Sequence, residues 1–579
     1  MTQSDVRGEE VPAVEDTMSL APKAPRAPGR PDGRPRRGGP KDGPKDGAKD
    51  GAKDGAKSGS GGDSSDGPNS GRSGRGGRGR RVLRWSAAVL SVVVLGTAGA
   101  GYLYYQHLNG NIHKGERDSG GDSKARKTAP NSAGQTPMNI LLIGSDSRNS
   151  AENVKLGGAK YDRGSPPLGD VQMLIHLSAD RKSAALVSIP RDTRVDIPKC
   201  TDPDSGKVYP ATNTIINESL ARGGAGCTLA TWENLTGVYI DHWMTIDFSG
   251  VVKMADAIGG VDVCVRQNVW DHPTPAVPGG SGLKLTAGTH KVQGKQALQW
   301  LRTRHAWGSD LMRARAQHMY LNSMIRTLKG QNVFTDTPRL MDLAEAATDS
   351  LGVSEEIGTV NKLYGLAMQL KSVPTNRITS VTMPNVQDPQ NSDHVVPAAT
   401  DADKMWRMIR DDVAFDKNGS AAENKKKTTA SAQPAKEPSL SAGSLGVLVQ
   451  NATGTATEAA VGGRARALAQ ELAGKGYTRA AADTSAASQS VEKTVVRYPS
   501  ADLEGDAQAV AKALGIPTDQ VQQTTAVSGV TLVVGADWRT GTAYPKQSAP
   551  KAGDLPDNAD AINGSDTKQC MDVYAPYRW

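Results

Sequence analysis

The chain has 579 residues, with 69 Lys and Arg against 61 Asp and Glu, and only 4% aromatic residues. Its formal charge of +8 is uneven: residues 1–84 hold 18 basic and 12 acidic side chains, so everything after them carries only +2. So near-neutral a balance does not imply nucleic acid as the folded part's partner, and the length exceeds what one core serves, so several domains are expected.

Residues 1–84 are Gly, Pro, Lys, Arg, Asp and Ser with almost no large apolar side chain, and carry PKDG and AKDG repeats from Pro40 to Gly55. Such a segment cannot bury enough apolar surface to offset its chain entropy, and a disordered tail is expected. Arg72, Arg75, Arg78, Arg80, Arg81 and Arg84 then stand without an acid among them. Residues 85–105, from Trp85 to Tyr105, follow without a charge and with aromatic residues at both ends. Their length and composition predict one transmembrane helix. The arginines place the N-terminus in the cytoplasm and the rest outside, on the cell membrane. A signal peptide cleaved near Ala98–Ala100 is the alternative, but a signal's charged region is short, unlike this tail.

Residues 106–136 read as a polar spacer. From residue 137 to about 415 strands and helices alternate. Met138–Gly144 is an apolar run ending in Gly, as in a buried strand. Val171–Ser178 and Ser183–Pro190 read as a strand pair joined by a short turn. Ile216–Gly224 reads as a short helix stopped by Gly-Gly. Phe248–Ile258 is a helix candidate, GGVDVCV a strand, and the segments Lys295–Trp300 and Asp310–Leu328 amphipathic helices. The alternation predicts a three-layer α/β domain. Residues 416–442 are a second linker, and 443–538 a small α/β domain: strands at Val447–Gln450, Lys493–Pro499 and Val530–Trp538, helices at Glu458–Lys475 and Ala501–Leu514. Residues 539–579 are a polar tail whose end, CMDVYAPYRW, is expected to pack on a domain. All four cysteines follow the anchor, which suits disulfides; Cys200–Cys227 is the preferred pair, and Cys264 either pairs with Cys570 or stays reduced. No Cys or His spacing suggests zinc.

The stretch WLRTRHAWGSDLMRARAQ, Trp300–Gln317, concentrates Arg302, Arg304, Arg313 and Arg315 with Asp310 and Gln317. On a helix Asp310, Arg313 and Gln317 share a face. Arg302 and Arg304 point the same way if extended. Forked guanidinia suit phosphate oxygens, so the run reads as half of a pyrophosphate site. A solvated helix face is the plainer reading, but Trp300, Leu301, Trp307 and Met312 flank it. Arg315 lies about 200° around the helix from Arg313 and is expected to contribute less. Three other segments carry suitable chemistry. IGSDSR ends a buried strand, where α/β sheets bind ligands, with Asp146 placed for Mg²⁺ and Arg148 for phosphate. Asp170 opens the next strand as a second carboxylate. In SIPRDTRVDIP, Arg191 and Asp192 form a loop clamp.

Together these segments resemble the LytR-CpsA-Psr family of cell-wall proteins. NILLIGSDSR, VSIPRDTRVDIP, INESLARGG, ENLTGVYIDHWMTIDFSG and RTRH with Asp310, Arg313 and Gln317 match in order, over roughly residues 138–415. Residues 443–538 are similar to the LytR C-terminal domain of actinobacterial members. The resemblance implies an α/β/α domain with a mixed central sheet. It also implies transfer of a glycopolymer from a polyprenyl-pyrophosphate carrier to peptidoglycan, forming a phosphodiester. Asp146 and Asp170 would hold Mg²⁺; Arg191, Arg302, Arg304 and Arg313 would grip the pyrophosphate, supported by Gln317. Nucleic acid is not an implied partner. Two departures stand out: Leu168 replaces the family's arginine two residues before Asp170, with Arg163 the nearest stand-in, and Ala316 replaces the arginine before Gln317. Two other functions stay open: a non-enzymatic scaffold that binds lipid-linked precursors, and a polyprenyl-pyrophosphate pyrophosphatase.

Overall fold

The computed structural model describes residues 76–118, 121, 123, 125–147, 150–157, 165–275, 277–331, 336–418, 436–454, 459–484, 491, 493–545 and 550–579. The expectations for residues 1–75, Arg148, Arg163 and most of the second linker lie outside these residues. Residues 84–579 form one compact unit, and the architecture below is theirs.

Helix α1, Gly76–Asn111, contains the whole uncharged segment. Its apolar side chains stand exposed, Val92 at 70% and Leu95 at 71%, as on a helix long and apolar enough to cross a membrane. Twenty-one residues at 1.5 Å each give roughly 32 Å, close to the hydrocarbon thickness of a bilayer. The helix runs past the expected boundary at Tyr105. Its end packs on the domain: Leu108 and Ile112 are buried, and His107 Nε2 lies 2.9 Å from Glu345. The expected spacer is therefore corrected. His113–Gly115 joins the sheet edge, Arg117 ion-pairs with Glu233, and Lys127 Nζ lies 2.6 Å from Asp241. A three-residue strand has no readable period; its stability comes from the neighbouring strand.

Seven strands of the large sheet are, in chain order, β1 (His113–Gly115), β2 (Met138–Ser145), β3 (Gly169–Leu177), β4 (Ala184–Ser188), β5 (His242–Ile246), β6 (Leu351–Ser354) and β7 (Ile378–Thr382). They lie side by side as β1-β6-β5-β2-β3-β4-β7. The sheet is mixed: β2 is antiparallel to β3 and parallel to β5. Helices α2 (Ala151–Gly157), α3 (Ser219–Thr236), α4 (Phe248–Ala257), α5 (Gly294–Arg302), α6 (Asp310–Gly330), α7 (Thr337–Ser350), α8 (Val360–Ser372) and α9 (Ala399–Arg410) surround it. Alternate residues of a strand face opposite ways, so β2 serves two cores. Leu141 and Ile143 pack with Trp232 of α3 and Trp406 of α9. Ile140 packs on the other face with Val353 and Leu366 of α8. This is the expected α/β/α layering.

The Gly223-Gly224 stop is corrected: α3 kinks there and resumes to Thr236. Gly224 has φ 64°, and a Cβ on Gly223 would lie 2.8 Å from Cys200 Cβ. The glycines let the backbone pass the Cys200–Cys227 disulfide, which is present, as is Cys264–Cys570.

The small domain has strands β8 (Gly446–Asn451), β9 (Arg479–Ala482), β10 (Val495–Tyr498), β11 (Val521–Gln523) and β12 (Thr531–Val534), in the order β9-β8-β12-β10-β11. Helices α10 (Arg464–Gly474) and α11 (Glu504–Leu514) cover its core. The helix expected from Glu458 starts only at Arg464, after Gly463 at φ 75°. β9 is alanine-rich and β11 has three residues, so propensity hid both. The tail returns to the large domain. There β13 (Ile562–Asn563) pairs antiparallel with β7, and Met571, Val573 and Tyr577 are buried. The large domain is thus discontinuous in sequence.

Candidate active site

Helices α4, α5 and α6 cross one face of the sheet and leave a cavity of about 560 Å³ between themselves and β2, β3 and β5. Both long walls start at a capped helix end. Asp247 accepts the Gly250 N–H at 2.9 Å to cap α4, and Ser309 Oγ accepts the Met312 N–H at 3.2 Å to cap α6. These caps satisfy amides that would otherwise be orphaned and fix where each helix begins. Arg313, Gln317, Tyr320 and Met324 of α6 line the cavity in succession. At 1.5 Å per residue they carry the wall from guanidinium to thioether over roughly 16 Å. Phe248, Val251 and Met254 of α4 and Leu298 and Leu301 of α5 make most of the rest apolar.

At the polar end Arg191 sits among carboxylates. Its Nη1 is 3.0 Å from Asp170, and its Nε is 3.4 Å from Asp192 and 3.7 Å from Asp310. Burial opposes its charge, yet Asp170, Asp192 and Asp310 outweigh burial and raise its pKa. Arg313, 8% exposed, has the opposite balance: burial lowers its pKa, Asp310 at 2.8 Å supports its charge, and Arg191 and Arg304 oppose it. Gln317 Nε2 donates to Leu301 O at 3.0 Å, tying the end of α5 to α6. Arg302 donates to Leu156 O at 3.3 Å and Gly157 O at 3.1 Å, and its guanidinium lies 4.6 Å from the Phe248 ring centre. The Arg304 guanidinium has no hydrogen-bond or ion-pair partner among the described residues and lines the same cavity, while its carbonyl accepts the Trp307 N–H at 3.1 Å.

The structure thus gathers Asp170, Arg191, Arg302, Arg304, Arg313 and Gln317 on one cavity. Asp192 and Asp310 stand beside them as partners of Arg191. Two expectations meet a different geometry. Arg315, expected among the substrate-binding residues, faces the tail instead, paired with Asp560 and 2.5 Å from Gln569 Oε1, because its helical phase turns it from Arg313. Arg302 and Arg304 do not alternate on a strand; Arg302 closes α5, and Arg304 follows the extended Thr303. The Asp146 carboxylate accepts the Leu168 N–H at 2.7 Å, bridging the two loops, while the neighbouring Ser145 lines the cavity. Arg148 lies outside the described residues. Sequence reasoning missed the apolar wall, because residues at i, i+3 and i+4 read as core. It also missed Asp271, Ser281 and His305, isolated polar residues that share the lining. The tail was expected to pack but not here: Tyr574 N–H donates to Ala306 O at 2.8 Å, just after Arg304.

His318 locks α6 to the sheet, its Nε2 2.8 Å from Ser188 Oγ. Burial pushes its pKa from 6.5 down to about 4, with smaller opposed effects from Asp560 and Arg315. The fold holds the neutral ring, so below pH 6.5 the unfolded chain binds a proton that the native state refuses. Stability from this group is full above pH 6.5 and is lost as pH falls towards 4, by about 3 kcal/mol. Urea unfolding of wild type and His318→Gln at pH 7 and pH 4.5 reads the difference; equal pH dependence in both would refute the assignment.

An α/β domain on a membrane-type helix, with an arginine-lined apolar cavity, is the class this fold and site define, and the chain belongs to the LytR_cpsA_psr family, whose model matches residues 102–411. Residues 444–538 match a second model, LytR cell envelope-related transcriptional attenuator. The chain is 29% identical over 329 residues to the cell wall biosynthesis protein LcpA of Corynebacterium glutamicum, covering 52% of this chain and 60% of that one. It is 32% identical over 178 residues to the polyisoprenyl-teichoic acid–peptidoglycan teichoic acid transferase TagU of Halalkalibacterium halodurans, covering 30% and 51%. The chain thus spans only half to three-fifths of these relatives. A crystal structure of TagV from B. subtilis aligns over 48% of this chain and 97% of its own, at 23% identity and a TM-score of 0.36.

Proposed function

We propose that the protein is a membrane-anchored phosphotransferase that moves a glycopolymer from a polyprenyl-pyrophosphate carrier onto peptidoglycan. The observation that carries this reading is one cavity whose wall runs from Arg313 and Gln317 to Leu321 and Met324. That order matches an amphiphile with an anionic head and a hydrocarbon tail. The similarity to TagU, a polyisoprenyl-teichoic acid–peptidoglycan teichoic acid transferase, supports it. An acceptor hydroxyl oxygen attacks the phosphorus bonded to the glycan. A new P–O bond forms, the bridging P–O bond breaks, and polyprenyl phosphate leaves. Such a transfer needs positioning and neutralisation of charge rather than a covalent nucleophile. Arg191 and Arg313 are held by carboxylates, and Arg302 by carbonyls, so their forks are pre-set before the anion arrives.

Magnesium fits the residues present. Asp170, whose side chain is 27% exposed, lines the cavity with a hard oxygen donor. Among the described residues no three acid, His or Cys side chains form a cage. Mg²⁺ needs none, since it keeps waters and takes one or two carboxylates plus substrate phosphate. Asp170 would hold it, and Asp146 would join by releasing the Leu168 N–H. Bound there, the ion would neutralise pyrophosphate charge. The arginines before the uncharged segment that begins at Trp85 put the N-terminus in the cytoplasm and both domains outside. The small domain, without a reactive cluster in its sequence, is assigned to binding or orienting wall material.

The test incubates the solubilised full chain with a lipid-linked glycopolymer, Mg²⁺ and peptidoglycan. The expected product is polymer on the wall fraction. Release of phosphate without wall-bound polymer would make the protein a pyrophosphatase, and lipid binding without turnover a scaffold.

A further inference from the structure

Two carboxylates on this cavity, Asp247 and Asp271, have no role in gripping pyrophosphate, and Asp247 is engaged in capping α4. Asp271 is 1% exposed and lines the cavity with Ser281, His305 and Arg304. Its Oδ2 accepts the Ser281 N–H at 2.8 Å, while its Oδ1 is buried with no hydrogen-bond partner. No basic side chain lies within ion-pairing distance of it among the described residues. Asp310 Oδ1 also lacks a well-angled donor, but Arg313 stands 2.8 Å from it and supplies the countercharge. Asp271 has no such relief. A buried acceptor left unmet is unfavourable, and one that faces a cavity calls for a donor from water, an ion or a ligand.

The surrounding chain holds this carboxylate still. Asp271 N–H donates to Leu283 O at 2.9 Å, and Gly282 N–H returns to Asp271 O at 2.8 Å. Gly280 packs so close that a Cβ there would lie 2.7 Å from Asp271 O. Ser281 Oγ is 2.7 Å from Thr303 Oγ1, and Thr303 is the residue between Arg302 and Arg304. Two short links, Asp271 to Ser281 and Ser281 to Thr303, therefore fix the carboxylate relative to the two arginines. An acceptor-only group so fixed is suited to a hydroxyl donor, not to a phosphate.

We infer that Asp271 is a catalytic residue that binds the acceptor's hydroxyl and takes its proton. The inference rests on the transfer reading above. As the hydroxyl oxygen bonds to phosphorus, its O–H bond breaks and the proton passes to Asp271 Oδ1. The electron pair of the broken bridging P–O bond leaves on polyprenyl phosphate, and the carboxylic acid returns its proton to solvent. The arginines carry the donor's charge, and Asp271 handles the nucleophile. The site thereby has separate parts for the two substrates.

The experiment uses the full chain in detergent, farnesyl pyrophosphoryl N-acetylglucosamine as donor probe, and peptidoglycan sacculi as acceptor. Asp271→Asn is expected to lower turnover by ~100-fold or more, the range for loss of a general base, while donor affinity stays within about threefold. Asp271→Ala should fall as far, and added formate should restore activity about tenfold, a rescue that a structural role would not give. The acidic limb of the pH–rate profile should disappear in Asp271→Asn and persist in His305→Gln. Turnover of Asp271→Asn within about threefold of wild type, or an acidic limb lost only in His305→Gln, would overturn the inference. If wild type releases farnesyl phosphate without labelling sacculi, the transfer reading fails by itself. Asp271 is then judged by the same ratio, with water as the nucleophile.

Discussion

Arg304→Ala should lower affinity for the lipid-linked pyrophosphate and the transfer rate by roughly tenfold to a hundredfold, without loss of stability. The guanidinium lines the cavity, and no described group pairs with it, so removing it breaks no hydrogen bond or ion pair among the described residues. The bound phosphate loses one charge-assisted donor, worth about 1.5–3 kcal/mol. Arg313→Ala should lose as much affinity and some stability besides, because Asp310 at 2.8 Å would keep its charge without its nearest cation. Arg315→Ala should show the reverse pattern. Its partners are Asp560 and Gln569 of the tail, so the tail loosens while affinity holds. Calorimetric binding of the pyrophosphate carrier, set beside urea midpoints, separates the three. Equal small losses at all three positions would mean that the cluster is a solvated face with no ligand.

Val251→Trp should abolish use of a long polyprenyl carrier and leave inhibition by inorganic pyrophosphate unchanged. Val251 lines the cavity from α4 and is only half-buried, so the added indole has room to enter the space. Displacing one five-carbon isoprene unit forfeits about 0.8 kcal/mol per buried carbon, or roughly 3–4 kcal/mol and more than a hundredfold in affinity. The arginines stand on other elements; Arg302 comes near by packing on Phe248, one turn before Val251, so pyrophosphate inhibition reads whether the head-group end is disturbed. Carrier affinity is compared with pyrophosphate inhibition of transfer in both proteins. Full activity on a long carrier would place the lipid elsewhere and remove the basis of the proposed function.

How far the sequence reaches can be judged from single residues. The spacing of Asp310, Arg313 and Gln317 was legible because helical phase is local: three and four residues apart means one face, and the ion pair formed as that arithmetic requires. The same arithmetic turned Arg315 away, although it could not name Asp560 as the partner. The uncharged 85–105 segment was legible because crossing a bilayer is a matter of length and polarity. The end of the helix at Asn111 was not, since buried contacts of Leu108 and Ile112 with the domain extend it.

The sequence by itself determined the elements whose causes are local: the buried strand at Met138, the strand pair across residues 171–190, the arginine helix and the membrane-type helix. Tertiary structure alone decided what depends on residues far apart in the chain. The kink at Gly223-Gly224 follows from a disulfide that packs against it. The tail became part of the large domain through β13 and Cys570, elements with too little apolar pattern to announce a partner. The cavity is set by how α4, α5 and α6 diverge over the sheet, and the same apolar stripes would have closed a core had they met. Asp271 gains its unmet oxygen only because residues 280–283 fold back on it, a contact that no periodicity in the sequence encodes.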